Sequence, residues 1–192
     1  MPDESAQLLD LMSPRGGHFR FVSGHHGDAW LDLDGLFRRP VALAPFVTAL
    51  AERLARFSLD GVCGPLTGGA FLAQLIAREL DIAFFYVERV SPTDGAAFAL
   101  PGTSQDEVVG KRIALVDDVT NAGSAVRGTY AALLACGGTP VVLGALLVLG
   151  SAAATFAAEV DIPLEGLALR ESTLWEPAAC PLCAAGVPLD EG

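Results

Sequence analysis

Residues 113–126, IALVDDVTNAGSAV, decide how the rest of this chain is read. The stretch passes from an apolar run into two adjacent carboxylates, Asp117 and Asp118, then into small residues around Gly123, and back into apolar ones. An apolar run without polar alternation marks a strand buried on both faces, and a small-residue turn followed by apolar periodicity marks a helix start. The stretch is therefore a strand, a turn and a helix, with two acids at the turn. Two like charges at a buried strand end are costly to place without partners.

In open α/β sheets, ligands bind beyond the carboxyl ends of the strands, where loops lead into helix N-termini. There the backbone N–H groups of Thr120, Asn121, Ala122, Gly123 and Ser124, with the positive end of the helix dipole, form a phosphate cradle. Asp117 and Asp118 repel phosphate, but carboxylates accept hydrogen bonds from vicinal hydroxyls such as those of a ribose, and they help to hold Mg²⁺. Sugar, phosphate and metal fit one turn. A second turn of the same kind, GPLTGGA at residues 64–70, leads from a strand into a helix. Its Gly64, Gly68 and Gly69 allow the backbone to approach an anion such as pyrophosphate closely, although a glycine-rich turn can also do no more than pack a helix on a sheet. The chain contains neither G-x-G-x-x-G nor G-x-x-x-x-G-K-[ST], and the D-x-D-x-T turn of phosphate-ester hydrolases does not fit the acid spacing.

Working outward, a short N-terminal helix is followed by predicted strands at HFRFV (18–22) and AWLDLD (29–34), separated by the turn SGHHGD. Beyond Pro40 a helix carries Leu43, Phe46, Val47, Leu50, Leu54 and Phe57 at helical spacing. DGVCG, IAFFYV, RIALV and PVVLGALLVL then read as strands, with helices at GGAFLAQLIAREL and SAVRGTYAALLACG. Strands apolar along their length, alternating with helices, predict an α/β fold with a mainly parallel sheet flanked by helices. The segment from Glu88 to Gly110 has no clear period and reads as a flexible loop. Residues 141–158 carry no charge, but Gly150 and Ser151 divide a Val/Leu half from an Ala half, so a strand turning into a short helix is preferred to a membrane span.

With 192 residues and 52% hydrophobic content, the chain can bury a sizeable core as one domain, residues 1–192. The 23 acids against 12 Lys and Arg give a net charge of −11, which argues against nucleic acid and anionic membranes as partners. MPDESAQLLDLM has neither a basic region nor a long apolar one, so a cytoplasmic location is expected. Cys63 and Cys136 read as core. Cys180 and Cys183, in CPLC, are half of a tetrahedral zinc site that needs two more ligands from elsewhere, or else a pair of free thiols.

ALVDDVTNAGSA resembles the phosphoribosyl-pyrophosphate (PRPP) motif of type I phosphoribosyltransferases. More narrowly, FRFVSGHHGDAWLDLDGLF, GPLTGGAFLAQLIARELDIAFFYV and GKRIALVDDVTNAGSA, in this order, resemble orotate phosphoribosyltransferases over about 150 residues. The resemblance implies a type I phosphoribosyltransferase fold with a small hood, formed by residues 1–38 and the C-terminal segment, and a mobile loop at 88–110. It implies transfer of phosphoribosyl from PRPP to a nitrogen base with release of pyrophosphate, Mg²⁺ as cofactor, a homodimer and a place in pyrimidine biosynthesis. Asp117 and Asp118 would bind the ribose hydroxyls, Thr120–Ser124 the 5-phosphate, and Leu66, Thr67, Gly68 and Gly69 the pyrophosphate.

The chain also departs from that family. Orotate enzymes carry a basic loop after the YV strand, where this chain reads ERVSPTDG; Arg89 stays, while Glu88, Pro92 and Asp94 stand where Arg, Lys and His are expected. Each such cation contributes about 2–4 kcal/mol to a transition state. Gly150 and Ser151 replace an Asp-Arg pair whose Arg contacts the orotate carboxylate, Val22 replaces a Lys and His25 an Arg. The expected reading is thus a phosphoribosyltransferase whose base need not be orotate, with Arg89 as catalytic cation and His25, His26 and Trp30 as base-pocket candidates. The alternatives are a PRPP- or nucleotide-binding regulator that kept the cradle without turnover, and an ordinary orotate enzyme in which Lys111, Arg112 or Arg127 replaces the lost cations.

Overall fold

The computed structural model describes residues 4–21, 24–91, 97–121 and 123–190. The expectations for Val22, Pro92, Asp94 and Ala122 fall outside them. Helix α1 (Glu4–Leu11) leads into an antiparallel hairpin of β1 (Arg15–Arg20) and β2 (His26–Trp30). After the short α2 (Leu33–Phe37) come α3 (Pro40–Leu54), β3 (Gly61–Pro65), α4 (Gly68–Leu80), β4 (Ala83–Ser91), β5 (Ala97–Ala99) and α5 (Gly102–Gln105). Then follow β6 (Arg112–Thr120), α6 (Ser124–Ala135), β7 (Thr139–Leu149), α7 (Ala152–Glu159), β8 (Leu164–Arg170) and α8 (Pro181–Ala184).

Six strands form one sheet in the order β5-β4-β3-β6-β7-β8. All its pairings are parallel except β4 with β5. The mainly parallel α/β sheet expected from the sequence is what forms. Strand β6 shows why its apolar run is continuous. Ala114 and Val116 point into a core layer shared with α1, α3 and α4, while Ile113 and Leu115 point into the opposite layer with α6 and α7. The strand is hydrophobic on both faces because helices cover both. Cys63 lies in the second layer and belongs to the core, where burial pushes its thiol up to about 12, whereas Cys136 is half-buried and packs against the edge of that layer.

Three expectations shift. The second hairpin strand ends at Trp30 rather than running through Asp34, because the Asp32 carboxylate accepts the Gly35 N–H at 2.8 Å and caps α2. Within 88–110, β4 continues to Ser91, β5 returns against it, and α5 follows, so the described part of this segment carries local structure. Strand β8 gave no sequence signal: it lies at the sheet edge, contains Gly166 and leaves Leu169 largely exposed. No helix among the described residues is long and apolar enough to cross a membrane.

Replacing Leu115, fully buried in the central strand, with alanine is expected to lower stability by about 2–5 kcal/mol in urea titration, whereas Leu169→Ala at the exposed edge should change it by less than about 0.5 kcal/mol.

Candidate active site

Strand order places the site. From β3 the chain moves through α4 to β4 on one side, and the next parallel strand, β6, lies on the other side of β3. Connections leaving adjacent strands in opposite directions open a crevice at their carboxyl ends. The turn after β3 (Leu66–Gly69) and the acids at the end of β6 meet in it. A Cβ at Gly68 would overlap the Asp118 carboxylate, and one at Gly69 would lie 2.8 Å from Asp117 Oδ1, so only glycine lets the turn come this close. The Leu66–Thr67 peptide is cis.

Asp117 and Asp118 are 8% and 7% exposed, yet both line a cavity of about 330 Å³ together with the Leu66–Gly69 turn, Asp34 and Arg89. Their hydrogen bonds are to neighbouring backbone: Asp117 Oδ1 accepts from the Asp118 N–H at 3.1 Å and Asp118 Oδ1 from the Val119 N–H at 2.8 Å. Among the described residues no Lys or Arg pairs with either. Burial, and then the charge of Asp118, hold the Asp117 carboxyl well above the ordinary 3.8; burial also raises Asp118, with a smaller push from Asp34. Three carboxylates thus converge, and among the described residues no salt bridge pairs them. Their oxygens suit hydroxyl donors and a hard divalent cation such as Mg²⁺.

The β6–α6 turn completes one wall. Gly123 adopts a φ of 78° as the cap of α6, a left-handed conformation that favours glycine, and from there the helix starts at Ser124. The first N–H groups of a helix have no partner inside it, and its dipole makes that end attractive to an anion. The Thr120 side chain is buried, and its hydroxyl has no partner among the described residues. Asn121 lines an adjoining cavity of about 550 Å³, whereas Ala122 lies outside the described residues.

In the larger cavity Trp30 and Phe21 form an aromatic wall, their rings stacked at 7° with centroids 5.9 Å apart. Asp28, Asp34, Arg170 and Glu171 also line it. His25 and His26 do not. His25 Nε2 sits 3.0 Å from Glu176 Oε1, and the buried His26 turns towards Cys183. Arg89 is at the smaller cavity, with its guanidinium 5.5 Å from the Phe98 ring centroid. The proposed substitute cations are elsewhere. Arg112 binds the Phe57 and Ser58 carbonyls, Lys111 lies over Phe85, and Arg127 pairs with Glu159.

Residues 47–164 match the family model described as phosphoribosyl transferase domain. The chain belongs to the phosphoribosyltransferase family. This phosphoribosyltransferase is 28% identical over 173 residues to the orotate phosphoribosyltransferase of Caldanaerobacter subterraneus subsp. tengcongensis, covering 90% of this chain and 86% of that one. It is 30% identical over 175 residues to the orotate phosphoribosyltransferase of Thermus thermophilus, covering 91% of each. Among solved structures, the orotate phosphoribosyltransferase of Aeropyrum pernix matches with a TM-score of 0.68 at 22% identity, covering 85% of this chain and 93% of that one. The adenine phosphoribosyltransferase of Thermoanaerobacter pseudethanolicus matches with a TM-score of 0.67 at 17% identity, covering 86% and 99%. These last two likenesses speak for the fold, which enzymes acting on different bases share.

Sequence reasoning missed Asp34, Phe21 and Arg170. Asp34 was hidden by reading a strand through the start of α2, for which Asp32 followed three residues later by Gly35 was the available signal. Arg170 ends β8, the strand that gave none.

Since both carboxyls titrate above 3.8 when folded, the folded protein binds their protons more tightly than the unfolded chain. Ligand-free stability should therefore fall as pH rises from that ordinary value through the raised ones. In melting curves from about pH 5 to about pH 8, Asp117→Asn should flatten this slope and raise Tm at neutral pH by at least about 2–4 °C.

Proposed function

We propose that this phosphoribosyltransferase transfers phosphoribosyl from PRPP to a neutral nitrogen base, with release of pyrophosphate. The observation that carries the reading is the pair of buried carboxylates, with no salt-bridge partner among the described residues, facing a cavity that the Gly68–Gly69 turn also lines. Asp117 and Asp118 accept hydrogen bonds from the ribose hydroxyls and so fix the sugar while its anomeric bond breaks. The N-terminus of α6, with Thr120 to Ser124, receives the 5-phosphate. Backbone groups of Leu66 to Gly69 receive the pyrophosphate, and Arg89, steadied over Phe98, faces it as the nearby cation. Mg²⁺, held at the Asp117–Asp118–Asp34 corner directly or through water and by the phosphates themselves, would neutralise charge on the departing pyrophosphate. Positioning and charge stabilisation of this kind account for most of what an oxocarbenium-like displacement needs.

The base stacks on Phe21 and Trp30 in the larger cavity. Asp28, Asp34 and Glu171 offer acceptors there, against Arg170 as the cation among the described lining residues. Such a wall favours a base rich in N–H donors over one carrying a carboxylate. In this reading the enzyme works as a homodimer, as the resemblance to its family implies, and in the cytoplasm, as the composition of residues 1–12 suggests.

Protein incubated with PRPP, Mg²⁺ and a panel of orotate, uracil, cytosine, adenine and guanine should release pyrophosphate with a neutral base at a kcat/KM above that for orotate. A preference for orotate would overturn the base assignment, and PRPP-induced stabilisation without release for any base would instead support a binding regulator. Asp118→Asn should weaken PRPP binding in calorimetry roughly tenfold to a hundredfold, the worth of a hydrogen bond to a charged group, with the circular dichroism unchanged. Unaltered affinity would remove the assignment of that carboxylate.

A further inference from the structure

Away from the cavities, the β1–β2 hairpin and the segment after β8 meet at a second cluster of reactive side chains. His18 and His26 lie on one face of the hairpin with ring centroids 5.0 Å apart, and Cys180 and Cys183 project from the start of α8 onto them. His18, His26 and Cys180 are 2%, 5% and 3% exposed, while Cys183 is open to solvent. One ligand atom from each, His18 Nε2, His26 Nδ1 and the two sulfurs, all lie within 4.8 Å of one another.

We propose that His18, His26, Cys180 and Cys183 form a structural zinc site that clasps the segment after β8 to the hairpin.

Distances support this first. A tetrahedral zinc with Zn–N near 2.05 Å and Zn–S near 2.3 Å holds nitrogen pairs about 3.3 Å apart, nitrogen–sulfur pairs about 3.6 Å apart and sulfur pairs about 3.8 Å apart. Here His18 Nε2 is 3.2 Å from His26 Nδ1, 3.4 Å from Cys180 Sγ and 3.7 Å from Cys183 Sγ, and His26 Nδ1 is 3.3 Å from Cys183 Sγ. Four atoms at these separations surround one ion and leave no room for a two-iron cluster.

Hydrogen-bond accounting supports it independently. His18 Nδ1 is 2.8 Å from the Val187 carbonyl oxygen, which can only accept, so that nitrogen carries a proton and, in the neutral ring, Nε2 presents one lone pair. Three groups converge on that lone pair: His26 Nδ1 and both sulfurs. The two thiols can each donate to one imidazole nitrogen, but the lone pairs of His18 Nε2 and His26 Nδ1 then face each other at 3.2 Å, whereas one cation satisfies all four ligands. The Val187 carbonyl also does what an outer partner does in a metal site, fixing the tautomer and orientation of a ligating histidine. Two nitrogens and two sulfurs in a tetrahedron select zinc over the hard cations, and four protein ligands leave no open position for catalysis.

The clasp has structural company. His26 and Trp175 exchange two backbone hydrogen bonds of 2.8 and 2.9 Å, and Arg20 and His18 bond to Asp190 backbone at 3.0 and 2.7 Å. The same hairpin carries Asp28 and Trp30 into the larger cavity, and Ser172 and Thr173 line that cavity just before the clasped segment. Zinc would therefore hold both walls of that cavity together, whatever base occupies it.

The full chain, purified under reducing conditions, should carry one zinc per chain by plasma mass spectrometry. Exchange for Co²⁺ should give the intense visible bands of a tetrahedral site, with sulfur-to-cobalt charge transfer. Cys183→Ser, at the exposed ligand, should lose most of the zinc and alter the cobalt spectrum, whereas Cys136→Ser should keep both. A strong chelator should lower the Tm of the wild type and leave that of the Cys180→Ser/Cys183→Ser protein unmoved. Three results would overturn the site: substoichiometric metal after reconstitution with Zn²⁺, equal metal loss in Cys136→Ser, or a Cys180–Cys183 disulfide in the freshly purified chain. The wild-type cobalt spectrum decides the matter even where a variant fails to fold.

Discussion

Everything at the catalytic end of this molecule depends on the reversal of connection direction between β3 and β6. Two neighbouring parallel strands send their chains to opposite sides, and the gap this leaves is the place where the backbone of one turn can face the side chains of another. The Gly68–Gly69 turn fills the gap so closely that a methyl group at Gly68 would overlap a carboxylate. Three acids then line a small enclosure with Arg89, and among the described residues no salt bridge pairs them. That arrangement is unfavourable for the empty protein and favourable for a ligand bringing hydroxyls and a cation, a common opposition between stability and function at sites of this kind.

How much of this was legible in the sequence follows from where residues sit in the sheet. The central strands were readable because helices cover both their faces and leave apolar runs such as IALV; the helix at Gly68–Leu80 was bounded by its own glycines. Asp117 and Asp118 stood out because nothing structural would place two acids after such a run. The edge was harder. Strand β8 pairs along one edge only and is exposed at its end, so Leu164, Leu167 and Leu169 share it with Glu165 and Gly166 and show no period. Arg170 at its end stayed invisible for that reason. Asp34 was assigned to a strand because alternation in WLDLD imitates one, whereas the Asp32 carboxylate had already turned the chain into a helix. His26 was readable as a polar residue in a turn, but only the fold reveals that it faces the CPLC segment.

Acidity runs through the chain and also reaches its ligand cavities. Where relatives of this family are expected to meet pyrophosphate with a row of cations, this protein has Arg89 held against Phe98, and its remaining candidate cations are engaged at carbonyls, rings or acids elsewhere. A site with so few fixed positive charges must rely on backbone dipoles and on whatever cation its ligand carries. On the proposed reading, its performance would be tied to the free metal concentration more tightly than that of an enzyme with several lysines at the same place.

The hairpin near the start of the chain is joined by backbone pairing to residues that follow the whole sheet, and His18 and Val187, 169 positions apart, share a hydrogen bond. Contacts of such sequence separation form late, since the intervening loop must close before they contribute. The sheet can assemble before the β1–β2 hairpin gains the segment that completes it. Until that pairing forms, the chain lacks one wall of its larger cavity, while the turns after β3 and β6 that border the smaller one belong to the sheet itself.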